Sequence, residues 1–440
     1  MACLLPVVAI AGPVDVTVEE TPESGFAKWW SGKYITGDWF GARDVLSDRG
    51  LTVKGKWRGA FYGILASENG QKGVFDQEVA FAAKLDFAKL TGMDGLKGLS
   101  AFGETRWRDN RGNSNPNDIV DASSLFNPSH YQSGVGWRLL TFGLTYTTPE
   151  LFGAEDFLTL TGGWVRPQKE FVDQPLSKHF VNNAIESAKG IGGNIPFSSS
   201  FSTWGGTLEL KPVKWHYAKA GLFMSFPSAT SSDNHGLMFE GYAPDPSQNR
   251  LMFMGETGFT PEIGDAKLPG RYAFGGYFYG EDNEQYGDNK YGFYWQADQM
   301  LFREPGATVP AAGTSDGKSL DSKVTVDTKP SLSQQGLRMF NLFTVAPAYN
   351  NRYPFYFQSG LVYEGLIPTR DKDLLMAAVG FGNYANKDDA TSTLVFETGY
   401  RVQINGWAFL QPYFQYLSRP NGTPEVANAA ILGFLAGVDF

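Results

Sequence analysis

Cysteine is almost absent from this chain of 440 residues: the one thiol is Cys3, so no internal disulfide can form. Long apolar runs are absent too. No stretch reaches the roughly 18 apolar residues that a spanning helix needs, and the mean hydropathy is −0.26. Basic charge is in short supply. The 37 Lys and Arg are outnumbered by 46 Asp and Glu, for a net charge of −9, which argues against a nucleic-acid partner. Histidine is scarce, at four: His130, His179, His216 and His235. Three of them fall in expected loops, and none sits in a recognisable nucleophile motif. No His-x-x-x-His pair or Cys cluster suggests a metal. The sequence therefore assigns no catalytic residue, no metal site and no cofactor, and the reading is of a protein that is not an enzyme.

Aromatics and glycine are abundant, with 15% Phe, Trp and Tyr and 52 Gly. A membrane β-barrel hides its hydrophobicity by alternating it with polar residues, so averages of hydropathy miss it. The last eleven or so residues show that alternation. Leu432, Phe434, Ala436, Val438 and Phe440 point one way, and Ile431, Gly433, Leu435, Gly437 and Asp439 the other. A strand that stops on a phenylalanine is characteristic of Gram-negative outer-membrane barrels, where the final strand pairs with the first.

Residues 1–11 carry a short apolar run ending in Ala9-Ile10-Ala11, which reads as the tail of a secretory signal without its basic start. Residues 12–50 read as a tail and a short helix. Thr36 or Asp38 is placed to cap it, and Trp39 to Asp48 carries Ala42, Val45 and Leu46 at helical spacing. From 51 to 440 strand patterns take over, in about sixteen runs of nine to eleven residues or slightly more, the length that crosses a bilayer at a tilt. The first three lie near 51–65, 74–89 and 97–109, and the last three near 392–404, 407–417 and 430–440. Short connections follow runs 2, 4, 6, 8, 12 and 14, and long ones follow runs 3, 5 and 7 (110–135, 167–201 and 226–249). Short periplasmic turns and long outer loops alternate in this way in bacterial barrels. Residues 304–335 break the rule. Either they form a flexible insertion on the periplasmic side or one strand nearby is miscounted. The expected fold is all-β: a transmembrane antiparallel β-barrel of about sixteen strands with a short N-terminal helix.

Within the runs, the faces sort by polarity. Leu51, Val53, Trp57, Phe61 and Leu65 share one face of run 1, and Lys54, Lys56, Arg58 and Tyr62 the other. In run 2, Phe75, Val79, Phe81, Leu85 and Phe87 oppose Asp76, Glu78, Lys84 and Asp86. A soluble sandwich also alternates, but sixteen long strands would normally divide into domains with visible linkers, and none is seen. Polar faces on so many strands would enclose a wide, hydrated lumen. Run 3 places Glu104, Arg106 and Arg108 on one face with Trp107 opposite, and Arg58, Lys56 and Glu78 fall close to them. Gln358, Glu364, Glu397 and Arg401 belong to polar faces of later runs. These nine residues, Lys56 aside, are the expected pore lining. Run 3 and the 167–201 loop are the two candidates for the constriction. Arg370 and Asp373 are read as a turn salt bridge.

The chain resembles the carbohydrate-selective porin family, of OprB type, from about residue 36 onward. The opening Thr36-Gly37-Asp38-Trp39-x-Gly41-x-Arg43 looks like the family's N-terminal signature. His179-Phe180-x-Asn182 is similar to its constriction-side loop. Gly365-x-Ile367-Pro368-x-Arg370-x-x-Asp373 matches a periplasmic turn. The most specific part is Glu397-x-x-Tyr400-x-x-Gln403, Gln411-Pro412-x-x-Gln415-Tyr416 and Arg419-Pro420-Asn421-Gly422. The departures are the 304–335 insertion and Phe40-Gly41 in place of a common Gly-Gly. The resemblance implies a sixteen-stranded outer-membrane channel through which glucose and similar sugars diffuse, with no reaction and no cofactor. The implied partners are a carbohydrate, outer-membrane lipid and the assembly machinery that reads the last strand and Phe440. Barrels of this size are often trimers, so a homo-oligomer is also considered. The alternatives are a general or anion-preferring porin and, more distantly, a barrel hydrolase.

Overall fold

Alternation with a period of two becomes a closed antiparallel wall in the computed structural model. The structure describes residues 25–109, 115–123, 125–129, 131, 135–187, 189–195, 201–225, 250–280, 289–305, 335–385 and 389–440. The proposed signal segment lies outside them. Sixteen long strands make the wall. The first five are β1 (Leu51–Ala66), β2 (Lys72–Asp86), β3 (Leu99–Asp109), β4 (Gly136–Thr147) and β5 (Leu158–Val165). Then come β6 (Thr203–Val213), β7 (His216–Ser225), β8 (Arg250–Phe259), β9 (Leu268–Tyr279) and β10 (Lys290–Arg303). The last six are β11 (Gly336–Val345), β12 (Phe355–Glu364), β13 (Leu374–Asn383), β14 (Ser392–Gln403), β15 (Ala408–Ser418) and β16 (Ala429–Asp439).

Each strand pairs with its neighbours in sequence, and β16 returns to β1 in the register Phe61↔Phe434 and Trp57↔Val438. The wall closes on itself with no open edge, the condition for strands to span a membrane. Phe440 continues the seam: its carbonyl accepts the Gly55 amide at 2.7 Å and its own amide donates to the Gly55 carbonyl at 2.9 Å. A side chain at position 55 would start 2.6 Å from the Phe440 ring, so glycine makes room for it. The ring rests on the outer face beside Phe81, at 5.5 Å.

The two faces separate as the alternation predicts. Phe253, Phe274, Phe293 and Phe434 are exposed on the outside, and Phe274 stacks on Phe293 and Phe61 on Phe434. Asp76, Glu78, Arg106, Gln358, Glu397 and Gln415 are buried on the inside. The barrel interior is partly filled. Two segments from the end opposite Phe440 fold into it, and their Phe126, Phe180, Val181 and Ile185 join inward Phe340 and Tyr356 in one apolar cluster.

Three details differ from the sequence reading, and one alternative it left open is decided. Run 2 stops at Asp86, because Phe87–Thr91 coils into a helical turn whose Lys89 amide is capped by the Asp86 carboxylate at 3.0 Å. Phe87 therefore leaves the strand face assigned to it. The short helix is α2 (Ala42–Asp48) and starts after Gly41, with no side-chain cap. Trp39, Phe40 and Gly41 are all left-handed, at φ 55°, 58° and 87°. That turn folds the Trp39 ring back onto Arg43, whose guanidinium lies between Tyr34 at 3.8 Å and Trp39 at 4.1 Å. Thr36 does not cap; its hydroxyl accepts the Trp39 indole N–H at 3.1 Å. A further helix, α1 (Gly25–Ser31), precedes it and sets Trp29 against Trp407 at 5.1 Å. Finally, with sixteen strands counted, the connection from Arg303 to Gly336 leaves from the end of the barrel that holds Leu51 and Phe440. No strand is miscounted beside it. Residues 306–334 lie outside the described residues.

Candidate functional site

The loop after β5 has no strand to pair with, so its backbone groups need partners inside the barrel. Its short helices, Pro167–Phe171 and Asn183–Glu186, begin on a proline and on an Asn182 side-chain cap. Between them, Val172, Leu176, Phe180 and Val181 are buried. One side of the lumen wall supplies the polar partners. The Glu397 carboxylate accepts the amides of Val181 at 2.8 Å and Asn182 at 2.7 Å. Gln296 donates to the Phe171 carbonyl at 2.8 Å and Gln411 to that of His179 at 2.9 Å. Gln358 donates to the Gln174 side chain at 2.9 Å, and Gln174 to the Asn341 carbonyl at 2.7 Å. At Gly190 the loop presses so close to the Tyr356 ring that a Cβ would collide with it.

The opposite wall, β1 to β4, stays charged and uncovered by these bonds. Its register puts Glu78 across from both Arg58 and Arg108. Arg106 and Glu104 face Ala80 and Ala82, whose small side chains leave them room. On β4, Leu140 is an extra residue: Glu104 pairs with Thr141 and Thr105 with Leu139. This bulge aims Leu140 into the lumen, as bulges beside functional sites often re-aim side chains.

A narrow cavity separates this wall from the inward loop. Charge pairs run around it. Glu78 takes the Arg108 Nε at 2.7 Å, the Lys56 ammonium at 3.4 Å and Arg106 at 3.8 Å. Glu104 takes Arg166 at 2.8 Å and Lys169 at 3.9 Å, and Glu186 takes Lys178 at 3.5 Å. A second, wider cavity shares Glu104, Arg166 and Lys169 and continues toward the end that holds Phe440. Inward threonines line it, with Thr145 and Thr161 bonded at 3.2 Å and Thr147 and Thr159 at 3.1 Å. The path thus offers cationic donors, carboxylate acceptors and hydroxyls that do both.

The nine expected lining residues divide. Glu78, Glu104, Arg106 and Arg108 meet at the first cavity. Gln358 and Glu397 face inward but lie beneath the loop and hold it. Arg401 is beneath it too, bonded to His179 Nδ1 at 3.1 Å and to Gln411 at 2.8 Å, and stacked on Phe409 at 4.1 Å. Arg58 turns to the seam, where it pairs with Asp439 at 2.6 Å. Glu364 pairs with Arg338 at 2.7 Å, away from both cavities. The residues that sequence reading did not single out are Arg166, Lys169, Lys178 and Glu186. Their only signal was membership of, or adjacency to, the 167–201 loop, where charges ordinarily meet solvent. Arg370 and Asp373 form the expected turn pair, at 2.8 Å. Of the histidines, His216 bonds Thr257 at 3.0 Å, and His130 and His235 lie outside the described residues.

Comparison with known proteins gives one consistent picture. The family model described as "Carbohydrate-selective porin, OprB family" matches residues 71–440. Porin B of Pseudomonas aeruginosa is 22% identical over 430 residues, covering 91% of this chain and 90% of that protein. Among solved structures, the high-pH form of Pseudomonas putida OprB superposes with a TM-score of 0.76 at 20% identity, covering 94% of this chain and 100% of that one. The low-pH form of the same protein gives 0.55 at 16% identity, covering 93% and 99%.

Proposed function

The chain belongs to the carbohydrate-selective porin family, OprB, and on that premise we propose that glucose and related sugars cross it at the charged cavity between β1–β4 and the inward loop. The protein is an outer-membrane β-barrel and a porin for sugars. The end that holds Phe440 is then periplasmic, and the inward loop enters from outside.

One observation carries the assignment of the site: guanidiniums, ammoniums and carboxylates meet around one cavity between the wall and the inward loop. A sugar is neutral and polar at its edges. Arg106 and Arg108 present planar donor forks and Glu78 and Glu104 acceptors, so the ring hydroxyls exchange water for fixed partners of both kinds. Such contacts select by geometry without holding the solute. The threonines below them offer the next set of hydroxyls. No step of this passage makes or breaks a covalent bond. The test is solute flux through purified protein in liposomes, comparing glucose, larger sugars, amino acids and salts. Glucose is expected to cross faster than amino acids of similar size; equal rates would overturn the reading.

We also assign Phe440 to assembly. Its ring stands on the outer face at the seam, where assembly machinery can reach it before closure. Deletion of Phe440 is expected to lower the yield of heat-modifiable barrel while single-channel conductance stays the same.

A further inference from the structure

Charge is not balanced along the path. The first cavity is lined, among the described residues, by the three carboxylates named above and by six cations. The surplus is three positive charges, in a chain whose net charge is −9. Arg138 adds to it from just behind: it is buried and pairs across the sheet with Arg106. The second cavity shows no such surplus, with four cations and four acidic residues. Positive potential is therefore concentrated at the narrow place where loop and wall approach.

We propose that this constriction favours sugars carrying a carboxylate, such as aldonates and uronates, over neutral sugars of the same size. The inference rests on the sugar-channel reading and names the class of sugar. A neutral ring gains only hydrogen bonds from groups already engaged in ion pairs. A carboxylate gains those bonds and the field, and it relieves repulsion among crowded cations. Each guanidinium has five donors in a fixed fork, more than one carboxylate uses, so a second carboxylate can be shared without breaking the first pair. Low-dielectric walls of one sign focus such a field on a passing ion. The balanced, threonine-lined cavity below then lets the anion leave, because no surplus holds it there.

The experiment is liposome flux of glucose, gluconate and glucosamine, three solutes of similar size with charge 0, −1 and +1. At low ionic strength gluconate is expected to cross about 10-fold faster than glucose, with glucosamine slowest. The order should collapse near 1 M salt, where screening acts over about 3 Å. Lys169→Glu lowers the surplus from three to one and is expected to reduce the gluconate-to-glucose ratio several-fold, with folding checked by gel mobility before and after boiling. If glucose and gluconate both fail to cross, the sugar-channel reading falls and this inference with it. If glucose crosses and gluconate is no faster, or glucosamine matches gluconate, this inference alone falls.

Discussion

The two halves of the barrel interior use polar residues for opposite ends. On β1 to β4 the inward groups are charged, crowded and turned toward a cavity. On β10 to β15 they are mostly amides, Gln296, Gln358, Gln411 and Gln415, with Glu397 among them, and they are covered by loop. An amide offers a donor and an acceptor with no charge to desolvate, so it suits a buried contact with peptide groups. Charges paired with one another suit a face that lines a cavity. On the proposed reading one half is the selective surface, and the other is the frame that holds the loop against it. Both read the same in sequence, because alternation reports which way a side chain points and not what lies over it.

If this division is right, the largest effect of any single change comes from the frame. Glu397→Ala removes the acceptor for two loop amides. Hydrogen bonds to a charged group are each worth about 1.5–3 kcal/mol, and the freed amides are buried. The loop should release from β14, raising single-channel conductance several-fold and abolishing preference among sugars, while the barrel still shows heat-modifiable mobility. Unchanged conductance in the folded variant would mean that the remaining amides hold the loop without Glu397.

The next largest effect comes from the selective face. Arg106→Ala with Arg108→Ala removes two of the cations around Glu78. The side chains point into the lumen, so the strand keeps its lipid face and the barrel should fold. A charge on the lipid side would cost about 2–4 kcal/mol at the bilayer midplane, so such residues mid-strand belong inside. The reversal potential under a salt gradient should shift toward cations by several millivolts or more, a displacement on the order of RT/F set by the change in lumen charge. Discrimination between sugars should weaken with it. A folded variant with neither change would show that Arg166, Lys169 and Lys178 carry the field.

The same contrast explains what the sequence made legible. Strands need only local alternation, so each of the sixteen runs has its strand, and the acidic and basic residues of β2 and β3 could be read as neighbours from parity. The run of sixteen also set which connections are long. Folding of the loop into the lumen is a non-local event. Nothing near Arg166 or Glu186 in sequence distinguishes a loop that turns inward from one that stays in water; the distinguishing groups, Glu397 and the glutamines, are 125 to 232 residues away in the chain from the loop groups they bond. The helix start failed for a different reason. The left-handed backbone at Trp39 and Phe40 brings the Trp39 ring onto Arg43, against the preference of bulky side chains.

Smaller effects sharpen the boundary between frame and face. Gln358→Leu removes one neutral bond to the loop at Gln174 and one longer contact, at 3.4 Å, to the Ile185 carbonyl; on the wall it removes an acceptor of the Tyr356 hydroxyl, which keeps the Ala184 carbonyl at 2.9 Å. A neutral hydrogen bond contributes about 0.5–1.5 kcal/mol, and the leucine refills most of the volume. The loop should stay in place most of the time. Single-channel records should show brief openings to a higher level, with mean conductance raised by less than about half, since one such bond shifts a population by little more than a factor of ten. A permanently open channel would place Gln358 beside Glu397 as a principal anchor.

Least of all is expected from Glu364→Gln. Glu364 is as charged as Glu78 and its side chain is also largely shielded, yet its partner is Arg338 at 2.7 Å and neither cavity includes it. The substitution keeps shape and one acceptor. It leaves Arg338 with a neutral acceptor in place of a carboxylate near the Phe440 end of β11 and β12, at a cost of about 1 kcal/mol, the difference between a charge-assisted and a neutral hydrogen bond. If selectivity is set where loop and wall meet, the reversal potential and the ratio of gluconate to glucose flux should both match the unmodified protein. A change as large as that of the Arg106 and Arg108 variant would instead mean that ions sense the summed charge of the whole lumen. The constriction would then be a site of steric selection only.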